Sequence, residues 1–240
     1  EAMDEELARD KRVFITGEDV GVRGGVFRAT AGLYEKYGAD RIVDSPLAEL
    51  SIVAIGLGAS IADTRPICEI QFGDFIFPAF NQILSEVSRF YYRSNGKWNV
   101  PMVIRTPYGG GIGGGLYHSQ SIEALFSHIP GLKVVMPSTP EDAKGLLKSA
   151  VRDPNPVLFL EAKKGYRAIK GIVPETNLIV GEHFCNLLGV PFENIGVISG
   201  PCHAEEAALE RLSYLTISCV DEIKAQVVSD SLSCDYIKCK

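Results

Sequence analysis

Glu49 stands in the first turn of a stretch, Leu47 to Ala62, that is apolar or small on every side. A carboxylate there costs free energy unless its charge is paired or it keeps its proton, because desolvation raises its pKa. Position alone leaves two readings open: an acid able to share a proton with a ligand, or a charge favoured by the positive end of the helix dipole. The second chemical group is His118, flanked by a glycine loop and by the small polar residues Ser119 and Gln120. That setting suits a mobile group titrating near neutral pH, although a lone histidine also serves structural ends. His128, His183 and His203 share no metal-ligand spacing with one another or with the cysteines, so no metal site is expected from them.

The glycine cluster Gly109 to Gly115 contains a literal GxGxxG. A dinucleotide fingerprint also needs an immediate helix and an acidic residue closing the next strand. Here Leu116-Tyr117-His118-Ser119-Gln120 is turn-like and the next strand ends Met136-Pro137, so the loop is read as a carrier of His118 into a cleft. Gly96-Lys97-Trp98 lacks the upstream glycine and following Ser or Thr of a phosphate loop.

The elements that must position these groups alternate. Strand-like runs at Arg12 to Thr16, Arg41 to Val43, Pro66 to Gln71, Pro101 to Arg105, Leu132 to Met136 and Pro156 to Glu161 are separated by loop-and-helix segments. The pattern predicts an α/β fold: a parallel sheet flanked by helices on both faces. Phe80, Ile83, Leu84, Val87 and Tyr91 recur at three- and four-residue steps, which predicts an amphipathic helix over Phe80 to Arg93. The segment Leu47 to Ala62, with Gly56, Gly58, Ala59 and Ser60 allowing close approach, is expected to be a helix buried on all faces. After Arg167 the texture changes, with a helix expected over Asn177 to Leu188, a strand at Ile195 to Ser199 and a helix over His203 to Leu212. The boundary is placed between Tyr166 and Gly171, giving domains 1–167 and 168–240.

The 240 residues, 46% hydrophobic, suffice for one large or two smaller cores. A net charge of −6 without a basic run gives no electrostatic footprint for nucleic acid or an anionic membrane. The longest apolar stretch, Ile52 to Ala62, falls short of the ~20 residues of a membrane span. The start has neither the basic nor the apolar region of a secretory signal, so a cytoplasmic location is expected. The six cysteines form no CxxC pair and are read as free thiols; Cys68 stands alone while the other five follow residue 184.

Taken together, Gly17-Glu18-Asp19-Val20-Gly21, Gly24-Gly25-Val26-Phe27-Arg28, Asp44-Ser45-Pro46-Leu47-Ala48-Glu49, Glu69-Ile70-Gln71-Phe72, Tyr117-His118-Ser119-Gln120-Ser121 and Pro130-Gly131-Leu132-Lys133-Val134-Val135 resemble the beta subunit of pyruvate and branched-chain 2-oxoacid dehydrogenases. The resemblance runs from residue 1 to about 167 and implies the transketolase-like, pyrimidine-binding domain of a thiamin-diphosphate enzyme. It implies an alpha subunit holding the magnesium and diphosphate, a lipoyl acyltransferase core as partner, and a 2-oxoacid as substrate. Carried over by position, Glu49 hydrogen-bonds the aminopyrimidine, Gln71 and Phe75 line its pocket, and His118 is the active-site histidine. Glu49 would favour the imino form of the pyrimidine, whose nitrogen deprotonates the neighbouring thiazolium carbon. His118 would stabilise or protonate the intermediate, or assist acyl transfer to a lipoyl group. The resemblance also implies a potassium site at Asp153 and Asn155, with Ala150 contributing its backbone carbonyl.

From about Ala168 the resemblance breaks. Ile169-Lys170-Gly171-Ile172-Val173-Pro174-Glu175-Thr176-Asn177 and Ser199-Gly200-Pro201-Cys202-His203-Ala204-Glu205-Glu206 are similar instead to the middle of NAD-dependent glycerol-3-phosphate dehydrogenase, with Lys170 matching a substrate-site lysine. That implies a small Rossmann-like α/β fragment lacking the glycine fingerprint and the second catalytic lysine. Three readings therefore stand: a beta subunit active only with an alpha partner, a catalytically silent fusion of two fragments, and a remnant of a glycerol-3-phosphate dehydrogenase, which the missing fingerprint opposes.

Overall fold

The computed structural model describes residues 1–171, 173, 196–199, 213–219, 223, 226, 227, 230 and 237–239. Contacts divide the chain into two units, Glu1–Asn177 and Leu178–Lys240.

The first unit is built on a six-stranded sheet: β1 (Val13–Gly17), β2 (Ile42–Asp44), β3 (Arg65–Glu69), β4 (Val103–Tyr108), β5 (Lys133–Val135) and β6 (Val157–Ala162). Their spatial order is β2-β1-β3-β4-β6-β5, and every pairing is parallel. Because successive side chains alternate across a strand, the register sorts the core into two layers. Ile42, Ile15, Ile67, Val103 and Val157 lie in one row and all face one side. Cys68, Ile104 and Leu158, one residue further on, form the next row and face the other. Burial on both faces explains why these strands read as continuous apolar runs rather than alternating ones.

The helices are α1 (Ala2–Arg9), α2 (Leu33–Tyr37), α3 (Glu49–Ile61), α4 (Phe90–Arg93), α5 (Glu123–Ser127), α6 (Pro140–Arg152) and α7 (Gly165–Ala168). On the first face, α1 and α6 cover the sheet with Leu7, Leu147 and Val151. Charges trapped between them are paired: Glu5 meets Lys144 at 2.7 Å and Lys148 at 2.8 Å, and Glu6 meets Arg152 at 2.7 Å. Such pairing is what makes the fully buried Lys148 tolerable. Helix α6 starts where Thr139 accepts the Asp142 N–H at 3.1 Å, with Pro140 in its first turn.

On the second face, α3 lays Ile52, Val53 and Leu57 on the sheet. Its opposite side is not covered by the described residues: Leu50 and Ile55 are 48% and 56% exposed, and Leu47, just before the helix, is 74% exposed. The expectation of burial on all faces is therefore corrected, since the sheet can cover only one side of a helix. The amphipathic segment is also corrected in detail. Ile83 and Val87 are buried and Phe80 and Leu84 lean on the same core, but Tyr91 is 47% exposed. Gln82–Val87 winds as a π-helix before α4 resumes. The wider turn rotates the succeeding residues about the helix axis, so Phe90 rather than Tyr91 leans inward.

In the second unit, β7 (Gly196–Ser199) pairs antiparallel with β8 (Ser213–Cys219), which pairs parallel with β9 (Ile237–Cys239). The sheet is thus mixed, and β7 overlaps the strand expected at Ile195 to Ser199. The helices expected over Asn177 to Leu188 and His203 to Leu212 lie outside the described residues.

The two glycines of α3 make a test of this layering. A Cβ on Gly56 would collide with the Cys68 sulfur and meet the Met102 methyl at 2.9 Å, whereas one on Gly58 meets nothing within 4 Å. Gly56→Ala is expected to destabilise the protein by about 1–3 kcal/mol, and Gly58→Ala to stabilise it by about 0.5–1 kcal/mol. Urea denaturation of the two variants checks the opposite signs.

Candidate active site at the carboxyl ends of the strands

All six strands point the same way, so the loops after them gather at one edge, where parallel sheets place their ligand sites. Glu18 follows β1, Glu49 follows β2, Gln71 follows β3, the glycine loop and His118 follow β4, and Lys163 follows β6. Because β1 connects toward one edge of the sheet and β3 toward the other, the β1/β3 junction is a switch point.

Across that junction the Gln71 amide donates to the Glu18 carbonyl at 3.5 Å. Burial pushes the Glu18 carboxyl above its usual range, and the negative charges of Asp19 and Glu49 push it further. Glu49 is half-buried at the head of α3, and its carboxylate takes no hydrogen bond from a described residue. The structure thus brings Glu49 and Gln71 to the same Glu18, and leaves the Glu49 carboxylate and most of the Gln71 amide available to an external partner.

The second cluster is aromatic. Phe72 follows Gln71 directly, and its ring meets Phe75 at 5.4 Å and the His118 imidazole at 4.7 Å, edge to face; Phe75 and His118 are 5.4 Å apart. His118 closes the 3-10 turn Gly115–His118, and its Nδ1 lies 2.9 Å from the Gly114 carbonyl. Since a carbonyl only accepts, Nδ1 carries the proton and Nε2 is left free. Gly109, Gly111, Gly113 and Gly115 have φ between 66° and 110°, so the glycine run is a conformational requirement of the loop. The short 3-10 turn after it also departs from the long helix a dinucleotide loop would need.

Beyond Phe72 the cluster continues through Phe27, at 5.5 Å, to Tyr166, 5.2 Å further. Tyr166 donates its hydroxyl to Glu161, which grips Arg105 with both oxygens at 2.5 and 2.7 Å, while Arg105 also binds Glu69. Burial pushes the Glu69 carboxyl up against the opposing pull of Arg105. Burial and the Glu161 charge raise the Tyr166 phenol as well. On the far side of this cluster a cavity of about 380 Å³ is lined by Met3, Pro140, Leu147, Glu161, Tyr166 and Ile169 among others, and none of Glu49, Gln71, Phe75 or His118 reaches it.

The expected potassium position has a different occupant. Lys133 pairs with the Asp153 carboxylate, whose other oxygen accepts the Asn155 N–H at 2.9 Å. The Asp153 N–H points to the Ala150 carbonyl at 3.3 Å, and Arg65 takes the Asp153 carbonyl at 3.2 Å. These oxygens are engaged by protein donors. Among the described residues no three His, Cys, Asp or Glu side chains gather to hold a metal. Lys170 is exposed beyond α7, away from the clusters described. Cys68 is a buried free thiol, pushed up to about 12 by burial.

Glu18, Phe72, Asp74 and Lys163 were not singled out as site residues from sequence. The signal for Glu18 and Lys163 was their place one residue past the ends of strands; Asp74 offered none. The sign of the Glu18–Glu49 coupling is testable: Glu49→Gln removes a negative charge and is expected to lower the Glu18 titration midpoint, read by carboxyl-carbon NMR. An unmoved midpoint would show that the two carboxyls do not face one site.

Residues 1–168 match the family described as "Transketolase, pyrimidine binding domain", and residues 145–225 match "NAD-dependent glycerol-3-phosphate dehydrogenase N-terminus". The chain is 61% identical over 179 residues to the 2-oxoisovalerate dehydrogenase subunit beta of Bacillus subtilis, covering 75% of this chain and 55% of that one. It is 51% identical over 174 residues to the pyruvate dehydrogenase E1 component subunit beta of Acholeplasma laidlawii, covering 72% and 53%. It therefore spans about half the length of these relatives. A solved structure titled "Split gene transketolase, inactive beta4 tetramer" superposes with a TM-score of 0.58 at 15% identity, over 99% of this chain and 66% of that one, which concerns the fold alone. No described helix is long and apolar enough to cross a membrane. With a parallel sheet of this kind and a family match over residues 1–168, the chain belongs to the transketolase pyrimidine-binding domain family.

Proposed function

We propose that this chain serves as the beta-type subunit of a thiamin-diphosphate-dependent 2-oxoacid dehydrogenase. An alpha subunit would supply the magnesium and diphosphate site, and the acyl group would pass to the lipoyl groups of an acyltransferase core. The observation that carries the reading is the meeting of Glu49, Glu18 and Gln71 beside the Phe72–Phe75–His118 cluster, at the carboxyl ends of a parallel sheet. The donor set fits an aminopyrimidine: a carboxylate that takes no hydrogen bond from a described residue and an amide held by one long bond to the Glu18 carbonyl, next to aromatic rings.

Thiamin diphosphate, when bound, supplies an acidic carbon that adds to the 2-oxoacid carbonyl and an electron sink for the loss of carbon dioxide. The chain's own residues do the rest. Glu49 holds a proton against a ring nitrogen. Gln71 orients the ring edge. Phe72 and Phe75 exclude water, which strengthens each polar contact in the site. The His118 Nε2, freed by the Nδ1–H bond to Gly114, accepts a proton from the reacting group or returns one.

A second reading is favoured by the match of residues 145–225 to the glycerol-3-phosphate dehydrogenase family, which overlaps the end of the first match and runs past it. On that reading the chain, 1–167 joined to 168–240, is catalytically silent. Mixing it with a cognate alpha subunit, thiamin diphosphate and magnesium, then following 2-oxoacid-dependent dye reduction, separates the two. Activity is expected, with Glu49→Gln losing about 10²–10⁴-fold in rate. No turnover by the unmodified chain supports the silent reading, and full activity of Glu49→Gln removes the proton-sharing role.

A further inference from the structure

Two buried polar atoms near His118 have no hydrogen-bond partner among the described residues, and they carry opposite charge. One is the Lys163 ammonium, on a side chain only 4% exposed; the other is the second carboxylate oxygen of Asp74. The first oxygen of Asp74 accepts the N–H groups of Ser119 and Gln120, each at 3.2 Å, directly after His118. The Lys163 ammonium stands 5.4 Å over the Phe72 ring, which also meets the His118 imidazole at 4.7 Å. Backbone contacts tie the same two segments together. The Lys163 N–H donates to the Tyr108 carbonyl at the base of the glycine loop, and a Cβ on Gly111 would touch the Lys164 side chain at 3.3 Å.

We infer that Lys163 is a positioning residue for His118, acting through Asp74. The physical argument is one of charge balance. A buried carboxylate holding two neutral N–H groups needs a nearby cation, and a buried ammonium needs an anion. Burial lowers the Lys163 ammonium below its usual range and the Asp74 charge pulls it back up, although no hydrogen bond or ion pair joins the two side chains. Without the positive charge of Lys163, the buried Asp74 oxygen is left with no cation nearby, and the hold of Asp74 on the turn after His118 weakens. Lys163 touches no reacting atom. The role of His118 itself rests on the function proposed above, but the coupling does not.

The test uses the full chain without cofactor or partner, so its outcome is independent of whether the chain turns over a 2-oxoacid. Lys163→Met keeps the length of the side chain and removes its charge. Amide hydrogen exchange at Ser119 and Gln120 is expected to accelerate about tenfold, while Ile104 in the sheet stays within about threefold of the parent and Lys163→Arg restores protection. Asp74→Asn, made alone, is expected to shift the Lys163 side-chain NMR resonances, and combining it with Lys163→Met should add nothing further to the exchange. Unchanged exchange at Ser119 and Gln120, equal acceleration at Ile104, or Lys163 resonances unmoved by Asp74→Asn would each overturn the inference.

Discussion

Arg105 is buried between Glu69 and Glu161, and these three side chains sit on the adjacent strands β4, β3 and β6. An arginine in that position is tolerable only because its donors face carboxylates; removing one partner of a buried pair costs roughly 3–5 kcal/mol. With two carboxylates for one guanidinium the cluster is also biased toward keeping a proton on Glu69, which burial favours. The three strands are thereby tied at their carboxyl ends, directly beneath the loops that carry Gln71, His118 and Lys163. The loops can be irregular because the strands under them are not free to slide.

Upon that base the site divides into a polar half and an aromatic half. Glu18, Glu49 and Gln71 meet where β1 and β3 part company, the place where a parallel sheet opens a crevice. Phe27, Phe72, Phe75 and His118 make the other half, joined to the buried cluster through Tyr166. Phe72 is the hinge of the arrangement. It follows Gln71 in sequence, and its ring meets both the His118 imidazole and the Lys163 ammonium.

The apolar side of α3 that the sheet leaves uncovered begins at Leu47 and Leu50, on either side of Glu49. The catalytic candidate therefore stands at the start of the exposed apolar stripe. A site built here is open on the side where Glu49 stands.

What the sequence determined by itself was local or repetitive. The apolar runs of β1, β3, β4 and β6 were legible because strands buried on both faces need apolar residues at nearly every position. Glu49, Gln71, Phe75 and His118 were legible because their surrounding strings resemble a known family. Only the tertiary structure decided which side of α3 is covered, since a helix apolar all round carries no sign of which side meets the sheet. The phase slip at Gln82–Val87 was equally hidden, because a π turn leaves the three- and four-residue spacing of the letters unchanged. Tertiary structure also supplied the contacts of Gln71 with Glu18, and of Asp74 with Ser119 and Gln120. Electrostatic coupling depends on distance and burial, and residues this far apart in the chain acquire both only when the strands stand side by side.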